Sequence, residues 1–302
     1  AVHKYNTPVI LQIAHCGRQT LSRITGLTTV APSPIRDNLY NEDMPHELSE
    51  TEIYQIINNF IFSIERAKKA GFDGVQLHLA HGYLLSSFLS PPMNKRTDKW
   101  GGSTENRFKI VSEIMKLARE KIGSYPILVK MNAYEKSKDG MKIDEAIKIA
   151  KLLEQSGCDA IEVSCGIAEE GFVSSRGGFP YDIITKYNHR TSKLPKVILP
   201  LIKPVLKMTM SSPKPYFLYN VSNAEEIKKH VKIPVIVVGG IRKIQEINDI
   251  IEQDKSDFVS MSRPFIIESD IVKKFKEGKQ AESKCINCNY CMIGTEVESL
   301  KC

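Results

Sequence analysis

Short apolar runs alternate along this chain with longer stretches in which apolar residues recur every three or four positions. The short runs span 9–14, 74–78, 127–131, 160–164, 235–238 and 258–262 and are rich in Val, Ile and Leu. Runs of this length bounded by Gly and Pro predict strands, and their continuous hydrophobicity predicts parallel strands buried on both faces. The stretches between them predict helices. Ser49 and Glu52 form a capping-box pattern, Ile53, Ile56, Ile57, Phe60, Ile64 and Ala67 share one face, and Gly71 supplies a left-handed stop before the next strand. The segment 144–156, ended by Gly157, repeats the arrangement. Strand, loop and helix in repetition predict an α/β fold. Six strands make a complete open, doubly wound sheet, and they fall two short of a (β/α)8 barrel.

Candidate chemistry sits where the second run ends. His78, His81 and Tyr83 fall within six residues at a strand's carboxyl end, where α/β enzymes place their reacting groups. The His-x-x-His spacing alone fits half a metal site as well as two unrelated histidines. Gln12 and Lys130 each interrupt an apolar run, so each side chain either points at a ligand, snorkels, or pairs with an acid such as Glu162. Gly239-Gly240 and Ser262-Arg263 follow the last two runs and offer backbone N–H groups, a hydroxyl and a guanidinium to an anion.

The 42% apolar content of the 302 residues is that of a globular protein, and the length allows one large barrel. No apolar run approaches the roughly 20 residues that cross a bilayer, and the start lacks signal-peptide character, which predicts a cytoplasmic protein without a membrane partner. The net charge of +7 is dispersed among acids and predicts solvated faces, with no nucleic-acid partner. No GxGxxG follows a strand, so no dedicated dinucleotide domain is predicted.

Cys16, Cys158 and Cys165 are scattered, whereas Cys285, Cys288, Cys291 and Cys302 crowd the C-terminal end. Their spacing suits an iron–sulfur cluster, tetrahedral zinc or free thiols. The segment 166–212, rich in Gly, Pro, Ser and Lys, is long for a connection and predicts a lid, helical over 197–208.

The string His78-Leu-Ala-His81-Gly-Tyr83-Leu with Phe88-Leu-Ser-Pro91, Asn94, Arg96, Asp98, Gly101-Gly-Ser103 and Glu105-Asn-Arg-Phe108 resembles the Old Yellow Enzyme family of FMN-dependent ene-reductases and NADH:flavin oxidoreductases. The resemblance covers nearly the whole chain. It implies an FMN-binding TIM barrel over 1–280, with the six runs as strands three to eight and the first two absent from the sequence given, followed by a Cys-rich tail over 281–302. It implies that Gln12 hydrogen-bonds the flavin pyrimidine, that Lys130 is the cation near N1, and that the loops carrying Gly239, Gly240, Ser262 and Arg263 hold the phosphate. Many relatives carry Arg where this chain has Lys130, so the charge is kept but the bidentate fork is lost.

By the same resemblance His78 and His81 bind a substrate oxygen and Tyr83 donates a proton, in an enzyme that uses NAD(P)H as a transient reductant for an electrophilic alkene. A homo-oligomer is compatible with this. Relatives similar to trimethylamine dehydrogenase and dienoyl-CoA reductase carry four cysteines directly after the barrel, which implies a [4Fe-4S] cluster at Cys285, Cys288, Cys291 and Cys302, with zinc as the alternative. Two other readings are an iron–sulfur/flavin electron-transfer protein serving a separate partner, and an FMN-dependent tRNA-modifying reductase.

Overall fold

The computed structural model describes residues 2–37, 44–187, 193–195, 197–210, 212–294 and 299–302. Its strands are β1 (Ile10–Ile13), β2 (Val30–Ala31), β3 (His46–Glu47), β4 (Gly74–Leu79), β5 (Ile127–Asn132), β6 (Ala160–Ser164), β7 (Val235–Val238) and β8 (Phe258–Ser260). Six of them form one curled parallel sheet in the order β1-β4-β5-β6-β7-β8, each on a run predicted as a strand. β2 and β3 pair only with each other. The sheet is therefore open, with β1 and β8 as its edges, and the described residues do not contain the two further strands of a closed barrel.

Helices α1 (Ser22–Thr25), α2 (Glu50–Lys69), α3 (Leu84–Leu89), α4 (Thr104–Ile122) and α5 (Ile143–Gln155) precede or follow the first strands. Helices α6 (Tyr181–Tyr187), α7 (Leu199–Met210), α8 (Val221–Lys228), α9 (Ile244–Glu252), α10 (Arg263–Ile267), α11 (Ile271–Lys276) and α12 (Tyr290–Gly294) complete the chain. The predicted capping box is present on α2: Ser49 N donates to Glu52 Oε2 at 2.8 Å while Glu52 N donates to Ser49 Oγ at 3.4 Å. Gly71 takes the predicted left-handed conformation, at φ 82°. In the segment 166–212 the predicted helix lies two residues later, as α7, and residues 188–192, 196 and 211 fall outside the described ones.

The core lies between the sheet and α2, α4 and α5. Val75, Leu77 and Leu79 of β4 and Ile127, Val129 and Met131 of β5 pack with Ile57, Ile64, Ile114 and Ile149, all fully buried. Burial of each such side chain contributes about 1.5–3 kcal/mol. Because side chains alternate across a strand, the residues between them face the other way. These are Gln76 and His78 on β4, Leu128 and Lys130 on β5, Glu162 on β6, and Ile236 and Val238 on β7. Burial on both faces, expected for every strand, holds only for β4 and β6; β1, β5 and β7 alternate. On that second face Gln76, His78 and Glu162 are buried polar groups, which makes it the face that builds a site.

Candidate functional site

β4 ends in a turn whose second residue favours glycine. His81 has φ 67° and Gly82 φ 88°, and a Cβ at Gly82 would stand 2.4 Å from Gln19 Nε2. A left-handed histidine costs about 1–2 kcal/mol, and such local strain collects at functional sites. Three hydrogen bonds hold it: His81 N donates to Asn132 Oδ1 at 3.3 Å, and the His81 carbonyl accepts from Gln19 Nε2 at 2.9 Å and Ala168 N at 3.1 Å.

This turn stacks three rings. His78 meets His81 edge-on at 5.0 Å and Tyr83 at 4.9 Å between centroids. Ala80 N donates to His78 Nδ1 at 3.2 Å, so the neutral imidazole carries its proton on Nε2. Burial, with the Lys130 ammonium beside it, pushes His78 down to about 4. Burial holds His81 well below the ordinary imidazole value, helped by His78 and Lys130. Burial raises the Tyr83 phenol, and Cys16 adds to the effect. At neutral pH the turn therefore presents two uncharged imidazoles and a protonated phenol. The imidazoles differ in one respect, because His81 Nε2 is already engaged with Ser164 Oγ at 2.8 Å. Among the described residues no group of three His, Cys, Asp or Glu side chains could hold a metal ion here.

Next to the rings a polar row crosses the sheet. His78, Lys130 and Glu162 are register partners on β4, β5 and β6. Lys130 Nζ lies 3.1 Å from Glu162 Oε1, Gln76 Nε2 donates to Glu162 Oε2 at 2.8 Å, and Gln12 Nε2 donates to Gln76 Oε1 at 2.6 Å. Lys130 thus pairs with the acid that the sequence offered as an alternative partner.

It also lines a cavity. The cavity, about 180 Å³, has His81, Lys130 and Ser164 on one side and Gly239, Gly240, Ser262 and Arg263 on the other. Lys130 and the chain after β8 are three strands apart, roughly 14 Å at ~4.8 Å per strand. Gly240, at φ 71°, is packed so tightly that a Cβ would stand 2.4 Å from the Tyr216 carbonyl oxygen. Arg263 is buried, and its Nη1 donates to Asn289 Oδ1 at 2.6 Å and the Arg176 carbonyl at 3.1 Å. Gln12, His78 and Tyr83 do not line the cavity. His78 contacts the lining ring of His81, Tyr83 contacts His78, and Gln12 connects to Lys130 through Gln76 and Glu162.

Sequence reasoning missed several residues. Ser164 lines the cavity and Asn132 braces His81; each is the last residue of its strand, a signal that the strand-end rule makes readable. Ser174, Ser175, Tyr219, Asn287 and Met292 also line it. No local pattern announced them.

Two of these belong to the cysteine tail, which docks onto this end of the molecule. Asn289 Nδ2 donates to the carbonyls of Ser175 at 2.8 Å and Gly178 at 3.0 Å, and Gly178 N donates to the Asn287 carbonyl at 2.8 Å. Glu268 Oε2 accepts from Lys284 N at 2.7 Å and Ser283 Oγ at 3.2 Å, fastening the start of the tail. Cys285 and Cys291 are buried, Cys288 half-buried and Cys302 exposed. Burial raises Cys291 and Cys302, and the neighbouring cysteines raise both further, so the four lie within electrostatic reach. They are not gathered as a ligand set: among the described residues no three such groups could hold a metal ion, and Cys285 Sγ turns to Asn287 Oδ1 at 3.4 Å. The tetracysteine site expected from spacing is not assembled in this geometry.

The sequence pattern of the NADH:flavin oxidoreductase / NADH oxidase family matches residues 1–202 and 196–282. The chain is 38% identical over 300 residues to the NADH oxidase of Thermoanaerobacter brockii, covering 98% of this chain and 41% of that protein. It is 29% identical over 311 residues to the cinnamate reductase of Clostridium sporogenes, covering 97% of this chain and 42% of that protein. Among solved structures, 2-naphthoyl-CoA reductase bound to 2-naphthoyl-CoA superposes with a TM-score of 0.80 at 23% identity, over 100% of this chain and 43% of that one, which shows a shared fold. The chain spans about two fifths of the length of these proteins. Among the described residues no helix is long and apolar enough to cross a membrane. With the pattern matched over nearly its whole length, the chain belongs to the NADH:flavin oxidoreductase / NADH oxidase family.

Proposed function

We propose that this chain is the FMN-binding part of an NAD(P)H oxidoreductase that reduces activated C=C bonds of small electrophilic alkenes. One observation carries the reading: His81 and Lys130 line the same cavity as Gly239, Gly240, Ser262 and Arg263. The lining suits the cofactor. Lys130 and Arg263 stand at its far sides, and a hydroxyl and glycine backbone sit beside Arg263. Lys130 and Gln12 would face the pyrimidine edge of FMN, and the loops after β7 and β8 would hold its phosphate.

When bound, FMN would supply the hydride, taken from NAD(P)H and given to the substrate's β-carbon. The chain does the rest. His78 Nε2–H and His81 hold the carbonyl oxygen and draw electron density from the conjugated double bond. Tyr83, whose raised pKa keeps its proton at neutral pH, delivers it to the α-carbon. Uncharged imidazoles suit donation to a carbonyl without giving up a full proton.

The open edges at β1 and β8 support a barrel completed by two more strands, giving a domain over 1–280 with the tail over 281–302. Ser174 and Ser175 in the cavity wall support a covering role for the 166–212 segment. The spacing of Cys285, Cys288, Cys291 and Cys302 supports a [4Fe-4S] cluster in the tail, with zinc as the alternative, and such a cluster would require the four thiols to draw together.

Stopped-flow kinetics of Tyr83→Phe test the reaction. Flavin reduction by NADH should stay near the wild-type rate, while reoxidation by 2-cyclohexenone slows about 10²- to 10⁴-fold. Equal loss in both half-reactions would remove Tyr83 from the proton-donor role.

A further inference from the structure

The Lys130 cation is not presented to the cavity alone. Glu162, 5% exposed, is its register partner on β6, and the two charges lie 3.1 Å apart. Glu162 also ends the chain that runs back through Gln76 to Gln12. We propose that Glu162 is a positioning residue that sets both the charge and the amide polarity of the flavin edge, through Lys130 and through Gln76–Gln12. This rests on the FMN reading above.

The polarity follows from donor counting. A carboxylate only accepts, so Gln76 must turn its NH₂ group to Glu162 Oε2 and its Oε1 the other way. Gln12 must then offer Nε2 to Gln76 and turn its own Oε1 elsewhere. One carboxylate on β6 thereby decides how an amide on β1 is oriented, two strands beyond its neighbour. The charge argument is equally direct. Reduction adds negative charge to a flavin, and a nearby cation favours it, whereas a carboxylate paired with that cation offsets part of its field. Glu162 Oε1 is buried and its close neighbour is the ammonium at 3.1 Å, so the carboxylate acts on the cavity through Lys130, which lines it. Glu162 touches no reacting atom. It holds the flavin at a lower potential than an unpaired lysine would.

The test is the two-electron midpoint potential of the FMN-loaded protein, measured by dye equilibration. Glu162→Gln should favour reduced over oxidised flavin by at least tenfold, a positive shift of about 30 mV for a two-electron couple. Lys130→Met, which leaves the carboxylate bare, should shift it at least as far in the negative direction. The double variant should fall between them, and Glu162→Asp, which keeps the charge, should move less than half as far as Glu162→Gln. A role confined to folding would not give opposite signs. An unchanged potential in Glu162→Gln, or both single variants shifting the same way, overturns the inference. Should Glu162→Gln not fold, the difference between Lys130→Met and the double variant replaces it, with a positive shift expected and none overturning the proposal. Wild-type protein that takes up no FMN overturns the functional reading and this inference with it, an outcome distinct from bound flavin at unchanged potential.

Discussion

At β4 to β6 the site is built from neighbours in strand register, with Lys130 as the member that lines the cavity, whereas at β7 and β8 the cavity is built from segments far apart in sequence. His78, Lys130 and Glu162 stand side by side across three strands, and His81 and Tyr83 follow His78 within one turn. At the other end Arg263 is held by Asn289 from the tail and by the Arg176 carbonyl from the long segment after β6. Asn289 in turn reaches back to Ser175 and Gly178. The first end is specified once the sheet forms. The second requires the tail to dock, so occupancy of the phosphate end and order of the tail should be coupled, while the ring end should respond to neither.

Removing Arg263 breaks the comparison most strongly. Arg263→Ala takes away a buried, charge-assisted donor and leaves Asn289 Oδ1 without it, so FMN affinity should fall about 10- to 100-fold, on the order of 1.5–3 kcal/mol. The tail should loosen in the same variant, seen as faster hydrogen exchange over 283–292. Weaker flavin binding with unaltered tail protection would separate the two and remove the coupling.

A smaller effect belongs to the ring end alone. Folded His78 titrates at about 4, below the ordinary 6.5, so between those values the unfolded chain binds a proton that the folded chain refuses. Stability should therefore rise with pH across this window and fall as pH drops from about 6.5 toward 4. Its slope is at most about 1.4 kcal/mol per pH unit from this residue. Urea midpoints measured from pH 7.5 to 5 should show a flatter dependence in His78→Leu. An identical slope in both proteins would mean that His78 is not the group refusing the proton.

The same contrast explains what could be read from the sequence. Every strand of the main sheet was visible as an apolar run, and α2 as a capped, one-faced helix, because local propensity and tertiary burial agree there. His78, His81 and Tyr83 were legible because a single turn carries them. Lys130 and Gln12 were visible as polar breaks in apolar runs, although their connection through Gln76 and Glu162 depends on register, which no single run contains. Asn287 and Asn289 were hidden. Both are buried asparagines at φ 55° and 66°, positions decided by contacts more than a hundred residues away in sequence for Asn289. They lie between the cysteines of the tail, and it is the asparagines that make the contacts with the cavity end.

The central claim is that both ends serve one flavin. Anaerobic titration of the flavin-free chain with FMN, followed by visible absorption before and after dithionite, tests it most directly. The account predicts saturation at one FMN per chain, with two resolved flavin bands that bleach on reduction, and a broad additional absorbance if the tail cysteines carry an iron–sulfur cluster. Flavin that stays free, with no perturbed bands at any ratio, would contradict it.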